Sequence, residues 1–119
     1  MSETNKATVR KVNASFENND LEGFLSVCKE DIVWKIIGER TVSGAEAIRE
    51  WMNSMGEIKP PKISINDLIS EGDSVAAYGD MTMSDKDDKS VPYAYCDIYR
   101  FEDDRIIELT SYIVKTETK

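Results

Sequence analysis

The stretch Tyr93-Ala94-Tyr95-Cys96-Asp97-Ile98-Tyr99-Arg100-Phe101 decides the fold. It is rich in aromatic and β-branched residues, the composition of a strand. Side chains alternate across a strand, so Tyr93, Tyr95, Asp97, Tyr99 and Phe101 share one face. Four aromatics and one acid do not make a solvated surface. They make the wall of a pocket with a polar group inside. An aspartate there is either paired, or desolvation raises its pKa and it can carry a proton near neutral pH. The alternative is an edge strand whose Asp97 meets water or an arginine.

Working outward, the flanking sequence reads as strands joined by turns. Glu102-Asp103-Asp104 is a tight turn into Arg105 to Val114. Upstream, Lys62 to Ser70 turns at Glu71-Gly72-Asp73 into Ser74 to Met83. The charged stretch Ser84 to Lys89 lacks the glycine and terminal glutamate of a calcium loop. It reads as a solvated hairpin end, and no metal site is expected. The opposite face of the central strand carries Ala94, Cys96 and Ile98. Ala76 and Tyr78 on one neighbouring strand, and Ile106 and Tyr112 on the other, are expected beside them. That face is too apolar to meet water freely, and helices can cover only one side of a sheet. A second copy of the chain is the simplest cover for the other.

The first half is helical. Glu3 to Phe16 forms an amphipathic helix with Ala7, Val9, Val12, Ala14 and Phe16 as its apolar positions. Asp20 suits the N-cap of a short helix, Leu21 to Cys28. Ile32 to Ile37 is a short strand stopped by Gly38. Ser43 with Glu46 makes a capping-box pattern for a third helix, which carries Ala47, Ile48, Trp51, Met52 and Met55 and ends at Gly56. Pro60-Pro61 forces an extended entry into the strands. Helices first and a meander second give an α+β protein, a single domain over residues 1–119.

Composition narrows the function. Hydrophobic residues make up 40% and charged residues 32% of the 119, as in ordinary globular chains. The net charge of −8 argues against nucleic acid and against an anionic membrane surface. No apolar run approaches a membrane span, and no signal peptide is visible, so a cytoplasmic location is expected. Two cysteines, Cys28 and Cys96, are expected to be free thiols. The chain has no histidine, which removes histidine-based triads and metal sets. Acid–base chemistry therefore falls to Asp, Glu, Lys, Tyr or Cys, and no cofactor is expected.

The order of these elements, the step Asn19-Asp20-Leu21-Glu22-Gly23-Phe24, the pair Val33-Trp34, the run Ser43 to Ile48 and the closing Tyr99 to Ile107 resemble the SnoaL-like branch of the NTF2-like superfamily. That group includes ketosteroid isomerases, polyketide cyclases and limonene-epoxide hydrolases. The resemblance implies a cone-shaped fold: three N-terminal helices packed on a curved antiparallel sheet, with a pocket in the wide end, often dimeric through the outer sheet face. The strand motif Asp-x-x-Arg-Phe of ketosteroid isomerase matches Asp97 to Phe101, which implies a hydrogen-bonding role for Asp97 like the protonated aspartate of that enzyme. The general-base position aligns with Lys35 and the oxyanion tyrosine with about Val12, so steroid isomerisation by that mechanism is not implied. The Tyr-x-Asp ending of many cyclases corresponds to Tyr112-Ile113-Val114, without the acid. The Asp-Arg-Asp set of the epoxide hydrolases is not formed, since Arg100 lies on the face opposite Asp97.

The same alignment turns Lys35 into the cone, where it pairs with Asp97, performs chemistry or reaches water along its stem. Trp51 either lines the pocket or packs in the core. Ala77 and Gly79 leave room beside Asp97, and Met81 adapts to a ligand. Together with Tyr95, Tyr99 and Leu109 these are the candidate ligand-binding residues, with Asp97 and Lys35 as candidate catalytic or anchoring groups. The expected partner is a small hydrophobic molecule. One alternative is an isomerase, cyclase or hydrolase with Asp97 as acid or base; another is a dimeric scaffold without catalysis.

Overall fold

The computed structural model describes residues 2–55, 59–85 and 87–116. Three helices, α1 (Ser2–Glu17), α2 (Leu21–Leu25) and α3 (Ala45–Ser54), pack on a six-stranded sheet. Its strands are β1 (Cys28–Ile36), β2 (Arg40–Ser43), β3 (Lys62–Glu71), β4 (Ser74–Ser84), β5 (Ser90–Glu102) and β6 (Arg105–Lys115), in the spatial order β2-β1-β6-β5-β4-β3. The meander from β3 to β6 lies where the turn residues place it. Gly72 (φ 57°), and Asp103 and Asp104 (φ 53° and 65°), take the left-handed conformations that tight hairpins need. Asp97 sits in the middle of β5, opposite Ala77 of β4 and Ser111 of β6.

The first half departs from expectation in detail. The sheet is mixed, because β1 pairs in parallel with β6, Trp34 opposite Leu109. α2 stops at Leu25 rather than Cys28, since the Val27 carbonyl accepts from the Ile106 N–H (2.9 Å) and draws the chain into that pairing. Gly38, at φ 82°, turns the chain into β2, which pairs with β1 and has no counterpart in the sequence reading. Ser43 therefore ends a strand. Gly44 (φ 94°) takes the N-cap of α3 with no side-chain cap, and Glu46 pairs with Arg49 (2.8 Å) instead of closing a capping box. The expected helix end at Gly56 lies outside the described residues.

The core lies between the helices and the inner face of the sheet. Val9, Val12, Phe24, Ile32, Ile48, Val75, Tyr99, Ile106 and Leu109 are fully enclosed. The buried stripe of α1 runs Asn5, Val9, Val12 and Asn13, while Ala7 and Ala14 are exposed. Val9, Val12 and Phe16 of the expected stripe do face the core, but two further inward positions are asparagines, which an apolar criterion passes over in favour of Ala7 and Ala14. Ile106 likewise belongs to the core and not to the outer face. A bulge leaves Ile107 without a partner between Arg100↔Glu108 and Phe101↔Ile106, and one extra residue reverses the alternation. The Ser84 to Lys89 loop, Lys86 aside, is closed by Asp85, whose carboxylate accepts from the Asp87 and Lys89 N–H groups. Among the described residues no metal-ligating cluster forms, and no helix is long and apolar enough to cross a membrane.

Candidate functional site

Between α1, α3 and the sheet lies a cavity of about 330 Å³, at the small end of ligand pockets. Its walls are built by contacts between aromatics. Trp34 of β1 is the hub: Phe16 stacks on it at 5.9 Å, Phe24 meets it edge-on at 5.5 Å and Trp51 edge-on at 5.7 Å. Each such pair contributes roughly 0.5–1.5 kcal/mol beyond its area. The Trp34 indole N–H donates to the Ser111 hydroxyl (3.0 Å), which fixes the ring plane against β6. Leu21, Met52, Ile63, Met81, Met83 and Ile113 complete the apolar lining.

One acid stands inside this wall. Asp97 lines the cavity, and its Oδ1 is enclosed without a hydrogen-bond partner. Burial pushes its pKa up from the ordinary 3.8 to about 6, against a smaller lowering by the Ser111 hydroxyl across the strand pair. Tyr95, beside it, donates to the Ser64 carbonyl (3.1 Å), so its proton is committed to the backbone. Burial, helped by the charge of Asp97, pushes that phenol up to about 12. The Tyr99 hydroxyl is fully buried and unpartnered, and burial raises it well above a free phenol. Cys28 gives its thiol hydrogen to the Phe24 carbonyl (3.3 Å), and burial pushes it up to about 12, an unreactive state. Both cysteines are free. The site thus offers a carboxyl group that changes charge close to neutral pH, and phenols that do not.

Lys35 is not in it. Ile32, Trp34 and Ile36 face inward, so alternation along β1 turns Lys35 to the outer face. There its ammonium pairs with Glu108 at 3.0 Å, with the side chain 44% exposed. The alignment had overridden the strand's own period. Of the other expected residues, Trp51, Met81 and Tyr95 line the cavity beside Asp97. Ala77, Tyr99 and Leu109 are core residues behind the wall, each 0% exposed. Gly79 leaves no room for a ligand, because a Cβ there would stand 2.0 Å from the Ser64 carbonyl oxygen. The β3 backbone, bulged between Ile65 and Asp67, fills that space. Arg100 faces outward near Glu108 (3.9 Å), as its parity with Asp97 requires. Sequence reasoning left out Trp34, Ser111 and Ile113. The signal was present: Ser111 and Ile113 share the face of Leu109 at the strand period, and Trp34 lies on the face opposite Lys35.

This geometry, an acid in the middle of a strand above an aromatic cone, meets a family match over nearly the whole chain. The SnoaL-like domain model matches residues 9–109. The chain belongs to the SnoaL-like family. Solved structures agree on the fold. An NTF2-like protein of unknown function from Burkholderia pseudomallei K96243 superposes with a TM-score of 0.83 at 19% identity, over 92% of this chain and 89% of that one. One of unknown function from Cytophaga hutchinsonii ATCC 33406 gives 0.72 at 27% identity, over 91% and 97%. An LEH-like epoxide hydrolase of M. tuberculosis gives 0.81 at 16% identity, over 93% and 83%. A search of curated proteins found no match. At these identities the likeness establishes architecture, and the SnoaL-like cone must be read from its own residues.

Proposed function

We propose that this SnoaL-like chain binds a small, largely apolar molecule in the cone, with Asp97 as the polar group that orients it. The observation that carries this reading is the enclosed, unpartnered Oδ1 of Asp97 inside a mostly aromatic and aliphatic wall. A buried acid without a partner costs stability, and its hydrogen-bonding capacity is unspent until a ligand meets it. Lys35 has no part in this, since it is paired on the other face. The test is a thermal-shift screen of small aromatic alcohols, ketones and amines against wild type and Asp97→Asn. At least one class should raise the wild-type midpoint and do so differently in the variant. If no class shifts the wild type, the cone is not a binding site.

A second reading is catalysis, with Asp97 as general acid or base. It is favoured by a pKa of about 6, close to the operating range of such groups. Turnover lost in Asp97→Asn while binding persists separates it from binding alone. The M. tuberculosis epoxide hydrolase shares the architecture, but Arg100 is turned away from Asp97 here, so an Asp-Arg-Asp set is not assembled.

The outer face supports association of two copies. Tyr78, Cys96 and Tyr112 lie in register across β4, β5 and β6, with Tyr78 and Tyr112 exposed. Ile98→Arg places a charge in the middle of that patch and should yield monomers or aggregates in light scattering. A dimer unaltered by the change would place the interface elsewhere.

A further inference from the structure

We propose that the molecule taken by the cone is an apolar organic cation, a protonated amine on an aromatic frame, whose ammonium pairs with Asp97. This rests on the reading of the cone as a binding site and names its ligand class. The first observation is the missing counter-ion. Asp97 lacks a partner for Oδ1, and among the described residues no lysine or arginine lines the cavity. Buried carboxylates are ordinarily paired with a cation, and among the described residues none lines the cavity to pair this one.

The second observation is the sign of every other charge that faces the site. Asp20 of the α1–α2 connection and Glu39 of the β1–β2 turn line the mouth. Glu17 of α1 stands near Tyr95, and Asp80 of β4 adds its negative charge from the opposite face of the sheet. Tyr95 and Tyr99 of β5 and Cys28 of β1 are neutral at physiological pH, each raised by burial. β6 contributes the uncharged Ser111, β3 contributes Ile63, and α3 presents Trp51 and Met52. Arg40 of β2 lies over the lining Trp51 ring (5.2 Å to its centroid) and is 4.0 Å from Glu39, but does not itself line the cavity. Lys59, beside the lining Pro60, is paired with Asp88. Among the described lining residues the only charged groups an anionic ligand meets are acids. A neutral carbonyl gains a hydrogen bond only when Asp97 is protonated, whereas an ammonium supplies both the missing charge and the missing donors.

The third observation is the wall itself. Phe16, Trp34, Trp51 and Tyr95 offer aromatic surfaces around the acid, the setting in which cations on an apolar frame are held. A chain of net charge −8 also attracts cations at long range.

The experiment uses three probes on one frame: 1-naphthylmethylamine, 1-naphthylmethanol and 1-naphthoate. Each is titrated calorimetrically into the full chain at about pH 8 and about pH 5, a range in which an aliphatic amine keeps its proton. The amine should bind at least about tenfold more tightly than the alcohol at the higher pH, and the carboxylate should not bind. Because Asp97 titrates near 6, amine affinity should fall about tenfold at the lower pH, with the alcohol nearly unchanged. Asp97→Asn should erase the amine's advantage and its pH dependence while keeping alcohol binding. An alcohol that binds as well as the amine overturns the cation assignment and leaves the cone as a binding site. So does amine affinity that rises as pH falls. Failure of all three probes to bind overturns the assignment and counts against the site as well.

Discussion

Asp97 and Glu108 are both acids in the middle of strands, on adjacent strands of one sheet and on opposite faces of it. Glu108 meets Lys35 at 3.0 Å and Arg100 at 3.9 Å, in reach of water. Asp97 meets one hydroxyl and an apolar wall, with one oxygen left unpartnered. The outer face treats its acid as ordinary surface chemistry, where an ion pair is worth little. The inner face holds its acid at a cost that packing elsewhere must offset. That a fold carries such a cost at one residue, when an asparagine or leucine would remove it, is the ground on which the proposed binding role of Asp97 rests.

The largest effect expected is one that removes the contrast altogether. Gly79→Ala drives a methyl into the Ser64 carbonyl and forces β3 away from β4. It should cost about 3 kcal/mol in denaturant unfolding and open the cone, bringing the Asp97 titration down toward that of a solvated acid. A variant as stable as wild type would show that β3 does not close the wall.

Asp97→Asn sharpens the contrast. The folded pKa of about 6 exceeds the ordinary 3.8, so the folded state binds the proton more tightly. Stability contributed by this group is then greatest below the unfolded value and is lost as pH rises from about 4 through about 6. The variant should be more stable than wild type by on the order of 2 kcal/mol at neutral pH, with the difference vanishing in acid. Equal or lower stability of the variant at neutral pH would mean that Asp97 is satisfied in solution.

Ser111→Ala attacks the one group that moderates Asp97. It leaves the buried Trp34 N–H without its acceptor, which costs roughly 1–2 kcal/mol, and it should move the Asp97 pKa further up in a carboxyl NMR titration. No movement would show that the hydroxyl does not serve the acid.

The smallest effect is expected on the outer face. Lys35→Met removes a partly exposed ion pair and should change stability by about 0.5 kcal/mol or less, with the Asp97 titration untouched. An upward shift of that titration would mean that Lys35 reaches the acid through the sheet.

Local chemistry determined much of this protein. Strand period and turn residues are properties of neighbouring positions, so the hairpins from Lys62 to Lys115 and the face occupied by Asp97 were legible in the chain. Where backbones from distant positions meet, the sequence was silent. Gly79 serves the β3 bulge, Ile107 reverses the phase of β6, and β2 exists because Gly38 folds the chain back along β1. The inward asparagines of α1 follow the helical period but not the apolar pattern. Lys35 teaches the sharpest lesson. Its own alternation with Trp34 and Ile36 turned it outward, and a distant likeness pulled it in. The cone obeyed the alternation, because turning β1 over would have put Trp34 in water and an ammonium in the core. That Asp97 stands alone was decided only by tertiary structure. Partnership is a matter of which side chains the fold brings within a few ångströms, and among the described residues it brings no cation to the acid.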